Sequence, residues 1–106
     1  MSPRASTEQE GGIAVEASRP RLKEPPQAAV YLINDDYTPF EFVVEVLEKF
    51  FRKNPEEASK ITLQVHHLGK GLAGIYPAEI AETKAVQVVE YARAHQHPLL
   101  AQAEPL

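Results

Sequence analysis

Residues 29–51, AVYLINDDYTPFEFVVEVLEKFF, contain the signals that decide the fold. The first five residues of this stretch form an apolar run rich in β-branched and aromatic side chains, which predicts a largely buried strand. The run stops at Asn34-Asp35-Asp36-Tyr37, a cluster typical of a turn. A helix is then predicted, with Thr38 as its N-cap, Pro39 at its first position and Glu41 completing a capping box. The stretch therefore predicts a strand, a turn and a helix in direct succession.

Apolar residues recur at helical spacing in this helix and in the next one. The first helix is predicted to bury Phe42, Val43, Val46, Leu47, Phe50 and Phe51. The segment Asn54-Pro55-Glu56-Glu57 repeats the helix-start pattern and opens the second helix. Its predicted inner stripe is Ala58, Ile61, Val65 and Leu68, and Gly69 is placed to end the helix in a left-handed cap.

The rest of the chain predicts a second strand, a third helix and a last strand. Residues 71–76 are short, apolar and flanked by glycine, and Pro77 opens a helix that buries Ala81, Ala85, Val88, Val89 and Ala92. Residues 95–98 break this helix, and residues 99–103 suit an edge strand. The order β-α-α-β-α-β predicts an α+β fold, a two-layer α/β sandwich of three short strands packed against three helices.

Composition limits the classes of function. The chain has 106 residues, no Cys and a formal net charge of -4. Its length fits one small domain, and the lack of Cys excludes disulfides and thiolate zinc sites. The acidic balance argues against binding of nucleic acid, and no apolar run approaches the roughly 18 residues that span a membrane. We expect a monomeric protein of the cytoplasm that needs no cofactor and no metal.

Residues 1–26 differ from the rest. They contain four prolines, no aromatic residue and balanced charges, so they cannot bury enough apolar surface to become ordered alone. We expect a flexible N-terminal extension at residues 1–26 and a folded binding domain at residues 27–106.

Few polar residues are candidates for chemistry. Asn34, Asp35 and Asp36 follow the first strand, where they either form a turn with their own backbone or accept hydrogen bonds from a cation. From these residues alone the turn is the more frequent outcome, and the cation-binding alternative stays open.

The spacing of the histidines does not favour a metal site. His66 and His67 point about 100° apart on a helix, so they cannot both bind one metal ion in simple geometry. Thr62 and His66 share a helix face beside the apolar stripe, where a histidine either packs half-buried or offers a ring nitrogen to a ligand. Nothing marks a nucleophile or a phosphate-binding loop, and we predict that the protein is not an enzyme.

Four segments together carry a resemblance to a known family. The first is residues 30–39 (VYLINDDYTP) with 41–43 (EFV), and the second is residues 65–66 (VH) with 69–71 (GKG) and 74–76 (GIY). The third is residues 79–84 (EIAETK) and the fourth residues 97–100 (HPLL), and in this order they resemble the ClpS adaptor family. The likeness runs from about residue 27 to residue 101. It implies an α/β sandwich preceded by an N-terminal extension that helps to engage an unfoldase.

The resemblance also implies a function. ClpS adaptors bind proteins whose first residue is Leu, Phe, Tyr or Trp, the N-degron, and deliver them to the N-terminal domain of the ClpA unfoldase, which feeds the ClpP protease. By resemblance, Asn34, Asp35 and His66 receive the substrate's amine, and because Asp35 caps no core element we expect its side chain to serve this ligand and not the fold. The residues that line or rim the hydrophobic pocket are, in the same way, Asp36, Thr38, Phe40, Val43, Thr62, Val65 and Leu99. Glu79 and Lys84 match the positions that dock on ClpA.

Two residues depart from the family pattern. Members often carry Met where this chain has Phe40 and Thr62. Phe is rigid where Met is adaptable, and Thr is shorter, so we expect a roomier pocket base and a different ranking of first residues.

Two other hypotheses remain. One is a non-catalytic α/β interaction module of another system, such as a factor-recruiting domain like that of the ribosomal stalk. The acidic domain and the proline-broken N-terminus fit it poorly. The other is a small hydrolase that uses Asp35, Asp36 and His66, for which no nucleophile is evident.

Overall fold

The computed structural model describes residues 25–106. Its strands are β1 (Gln27–Ile33), β2 (Lys70–Pro77) and β3 (Leu100–Pro105), and its helices are α1 (Phe40–Phe51), α2 (Pro55–Leu68) and α3 (Ala78–Ala94). The predicted extension at residues 1–26 lies almost wholly outside the described residues. The predicted element order is confirmed.

The three strands form one antiparallel sheet in the order β2-β1-β3. The central position of β1 explains its apolar run, because Val30 and Leu32 are fully buried under the helices. A bulge lies opposite Val30 and Tyr31, where β2 contains one extra residue, Ala73. The core is therefore one layer of apolar side chains between the sheet and three helices.

The two predicted capping boxes have different outcomes. In α2 the prediction is confirmed: the backbone N–H of Glu57 donates to the Asn54 side chain at 2.8 Å, and the Asn54 N–H donates back to Glu57 at 3.3 Å. In α1 the prediction is wrong. The N-cap of that helix is Pro39, one residue later than predicted, and proline has no side-chain acceptor for a cap, while the Thr38 hydroxyl donates to Asp35.

The predicted helix faces are mostly buried, with one error in α2. Ala58, Thr62 and Val65 are buried, whereas Leu68 is 75% exposed. Leu68 is the last residue of the helix, next to the exposed cap residue Gly69. Gly69 has the predicted left-handed conformation, with φ 90°.

Candidate functional site

A pocket lies where the end of β1, the start of α1, the last turns of α2 and the residue before β3 meet. It is a narrow pocket, partly open to solvent. The lining residues come from four separate segments: Ile33, Asn34, Asp35, Thr38, Phe40, Val43, Thr62, Val65, His66 and Leu99. The structure thus brings the three predicted amine-binding residues into one pocket with six of the predicted pocket and rim residues.

The Asp35 side chain is held in place by hydrogen bonds from the loop that follows it. Its Oδ1 accepts hydrogen bonds from the backbone N–H groups of Tyr37 and Thr38, at 2.7 and 2.8 Å, and its Oδ2 accepts from the Thr38 hydroxyl at 2.7 Å. The expectation that this side chain serves only a ligand is therefore wrong. Since a carboxylate has about four acceptor positions, one remains for a further donor.

The environment of Asp35 favours its charged form. Partial burial acts against ionisation, but the hydrogen bonds from Thr38 and Tyr37 and the positive charge of His97 outweigh it. The net effect lowers the pKa of Asp35 below its ordinary value. The pocket therefore holds an anion at neutral pH.

Asn34 and His66 are joined through the end of α2. The backbone N–H of Asn34 donates to the Gly69 carbonyl at 2.9 Å, and the Gly69 N–H donates to Val65 at 3.0 Å. This links the residue after β1 to the last helical turn, which carries His66. The Phe40 ring meets the His66 ring edge-on, with centroids 6.4 Å apart. Because the negative end of a helix dipole lies here, this edge of the pocket favours a cation.

The inner wall of the pocket is apolar. Val43, Val65 and Leu99 are buried, and Thr62 is 1% exposed. The Thr62 hydroxyl donates to the Ala58 carbonyl at 2.7 Å, so it needs no partner from a ligand. An apolar group can therefore enter beside Thr62 without leaving a polar group unpaired.

Sequence reasoning missed Ile33, the last residue of β1. It lines the pocket next to Asn34 and is half-buried. The available signal was its position: the final side chain of a strand lies beside the residues that follow it.

Asp36, Glu79 and Lys84 lie outside the pocket. Asp36 and Glu79 are exposed. Lys84 is half-buried, donates to the Phe50 carbonyl at 2.8 Å and lies over the rings of Phe51 and Tyr76, 5.8 and 5.2 Å from their centroids. Its ammonium group therefore links α3 to the end of α1.

Comparison with known proteins shows the family. The family described as "ATP-dependent Clp protease adaptor protein ClpS" matches residues 23–102. The chain belongs to the ClpS family. ClpS adapters of the Clp protease from Xanthomonas oryzae pv. oryzae and from Xanthomonas axonopodis pv. citri are 50% identical to it over 104 residues, 98% of each chain.

A solved ClpS structure has the same fold. ClpS2 of Agrobacterium tumefaciens, bound to L-phenylalaninamide, is 34% identical with a TM-score of 0.76, over 78% of this chain and all of that one. The predicted resemblance to ClpS, the predicted sandwich and the prediction of a non-catalytic Clp protease adaptor are confirmed.

Two features are absent from residues 25–106. No helix there combines the length and apolar character that crossing a membrane requires. That part of the chain also has no group of three His, Cys, Asp or Glu side chains placed to hold a metal ion.

Proposed function

We propose that this ClpS protein binds proteins through a bulky hydrophobic first residue, Leu, Phe, Tyr or Trp, and delivers them to ClpA for degradation by ClpP. The observation that carries the proposal is the pocket itself, which has a polar edge of Asn34, Asp35 and His66 and an apolar inner wall. A free N-terminal residue has the matching chemistry, a cationic amine next to an apolar side chain. L-phenylalaninamide, the molecule bound to the related ClpS2, has the same two groups.

Each residue of the polar edge has a distinct role toward the amine. The Asp35 carboxylate supplies negative charge, Asn34 an amide oxygen, and neutral His66 a nitrogen lone pair. Each hydrogen bond to a charged group contributes about 1.5–3 kcal/mol. The three acceptors match the three N–H donors of an ammonium group.

The apolar wall contributes about as much as one of these hydrogen bonds. Burying a Leu or Phe side chain stabilises a complex by about 1.5–3 kcal/mol. Neither part alone gives tight binding, but together they approach micromolar affinity, about -8.2 kcal/mol. An internal Leu lacks the amine and an N-terminal Ala lacks the side chain, so both are rejected.

The test is fluorescence anisotropy with matched peptides. One series varies only the first residue, and one control carries a Leu whose amine is acetylated. We expect Leu, Phe, Tyr and Trp to bind, and both the acetylated and the Ala-headed peptide to lose at least about tenfold in affinity. Equal binding of free and acetylated Leu peptides would contradict the proposal.

Delivery requires a second surface. We propose that Glu79, exposed in the first turn of α3, contacts the N-terminal domain of ClpA together with Lys84. Because the Lys84 ammonium group already donates to a carbonyl of α1, the Glu79 side chain is the more available of the two for a partner. In this proposal a monomer acts in the cytoplasm, residues 27–106 bind the substrate, and residues 1–26 help to engage the unfoldase.

The size of the Thr62 side chain determines how much space is left at the base of the pocket. In the Thr62→Met variant the longer side chain occupies space that a large first residue needs, and overpacking of this kind costs about 1–3 kcal/mol. We expect affinity for a Trp-headed peptide to fall on the order of tenfold, and more than affinity for a Leu-headed peptide.

The matched control for Thr62→Met is Leu63→Met. Leu63 is the next residue of α2, is 47% exposed and lies outside the pocket lining. This variant should keep the wild-type preference in the same peptide titrations. An unchanged ratio of Trp to Leu affinity in Thr62→Met would show that position 62 does not touch the bound side chain.

A further inference from the structure

His97 lies between the end of α3 and the wall of the pocket. Its backbone N–H donates to the Ala92 carbonyl at 2.8 Å, and the preceding Gln96 is left-handed, with φ 65°. Two residues further, Leu99 is 2% exposed and lines the pocket. The turn that ends α3 therefore leads directly into the apolar wall.

The imidazole of His97 fastens this turn to α1. Its ring centroid is 4.4 Å from that of Phe42, a buried residue of α1, and His97 itself is half-buried. The same helix supplies Phe40 and Val43 to the pocket. His97 thus joins two of the segments that form the site.

A positive charge on His97 also acts on Asp35. Among the influences on that carboxyl, partial burial opposes ionisation, whereas the hydrogen bonds of the loop and the charge of His97 promote it. Asp35 is the anion of the pocket, and an incoming amine needs the same negative charge. A protonated His97 therefore offsets part of the attraction between Asp35 and an amine.

Other titratable groups surround His97. From α3, Tyr91 and His95 each lie 5.6 Å from the Phe42 ring that His97 contacts. From α1, Glu45 accepts a hydrogen bond from the Tyr91 hydroxyl, and the loop after β1 contributes Asp35. From α2, His66 lines the pocket beside Asp35. Of the groups named here, His97 is the one that both contacts α1 and precedes the pocket residue Leu99 by two positions.

We propose that His97 is a positioning residue for substrate binding, which holds the Leu99 wall in place and, when protonated, weakens the pocket's attraction for an amine. This inference rests on the proposed function. It predicts that substrate affinity depends on pH through His97, because a positive charge at this position opposes the substrate's amine.

The experiment measures Kd for a labelled Leu-headed peptide from about pH 8 to about pH 5. His97→Phe keeps a ring against Phe42 but cannot be protonated. The fold-loss of its peptide affinity across this pH range should therefore be about three times smaller than that of the wild type. His97→Ala removes the ring, and its affinity should be about fivefold weaker even at pH 8. His95→Asn, which removes the neighbouring imidazole, is the matched control and should follow the wild-type profile.

The outcomes separate this inference from the proposed function. If the wild type at pH 8 does not distinguish free from acetylated Leu peptides, the proposed function itself fails. If it does distinguish them but His97→Phe keeps the wild-type pH profile, the electrostatic role of His97 is overturned. If His97→Ala is folded and binds at pH 8 as tightly as the wild type, its positioning role is overturned.

Discussion

Replacing Asp35 by Asn is expected to weaken binding of a Leu-headed peptide by about 10- to 100-fold, the loss of one charge-assisted hydrogen bond in a partly buried site. Asn is chosen because its side-chain oxygen can still accept the N–H groups of Tyr37 and Thr38, which Asp35 Oδ1 accepts in the native loop. The variant therefore removes the charge and largely keeps the loop. Asp35→Ala would remove both, so its loss of binding could not be assigned to charge.

The control for this prediction is the neighbouring residue. Asp36→Asn removes the same charge one position further, from an exposed side chain outside the pocket lining. Because this charge is surrounded by water, where unit charges interact weakly, and does not touch the pocket, Asp36→Asn should change affinity much less. Equal losses in the two variants, measured by anisotropy at neutral pH, would mean that general negative charge and not Asp35 itself attracts the amine.

Asp35 also links stability to pH. Its pKa is lowered in the folded protein, so it contributes stability above its ordinary pKa of about 3.9, and this contribution is lost as the pH falls through the lower folded value. The difference in Tm between wild type and Asp35→Asn should accordingly be largest near neutral pH and shrink below about pH 4. A difference in Tm that stays constant into acid would contradict this assignment.

Local signals made the order of elements predictable. Strand periodicity, the Asn54–Glu57 capping box and the glycine after α2 each depend on residues within a few positions, and each is present in the structure. The start of α1 was not predictable in the same way, because Thr38 has two local partners. Its side chain can cap the helix or bond to Asp35, and the sequence contains the pattern for both.

The pocket could be predicted only through resemblance. Its walls come from four segments of the chain. Patterns of helical and strand spacing do not show which ends of the helices and strands lie next to each other. The contact between His97 and Phe42 and the bond from Lys84 to the Phe50 carbonyl join distant parts of the chain. One of these partners is a backbone carbonyl, which leaves no trace in residue type.

Gly71 connects the packing of the fold to the pocket. A Cβ at this position would lie 2.8 Å from Val65 Cγ2 and 3.1 Å from the Ile61 carbonyl oxygen. Both neighbours belong to α2, which packs on β2 at this point, and Val65 lines the pocket. Gly71→Ala should therefore push α2 away from the sheet and move the pocket wall.

We expect Gly71→Ala to lower the free energy of unfolding by about 1–3 kcal/mol, the usual cost of overpacking. Affinity for a Leu-headed peptide should fall by about fivefold or more, because Val65 no longer lies at the distance that the bound side chain needs. Urea unfolding and peptide anisotropy on the same samples measure the two effects.

Gly74→Ala in the same strand is the matched control. A Cβ there would lie 2.7 Å from the end of the Tyr76 ring, which can rotate away and does not line the pocket. It should cost less stability and leave peptide affinity unchanged. Loss of binding in both variants would show that β2 affects the site through general destabilisation.

A second substitution identifies the contact that destabilises Gly71→Ala. Val65→Ala removes the methyl group nearest to the added Cβ, so the Gly71→Ala, Val65→Ala double variant should be more stable than the sum of the two single effects. Strictly additive free energies of unfolding would place the strain elsewhere, on the Ile61 backbone. In either case the double variant should still bind weakly, because the apolar wall then lacks part of Val65, and stability and affinity are thereby separated.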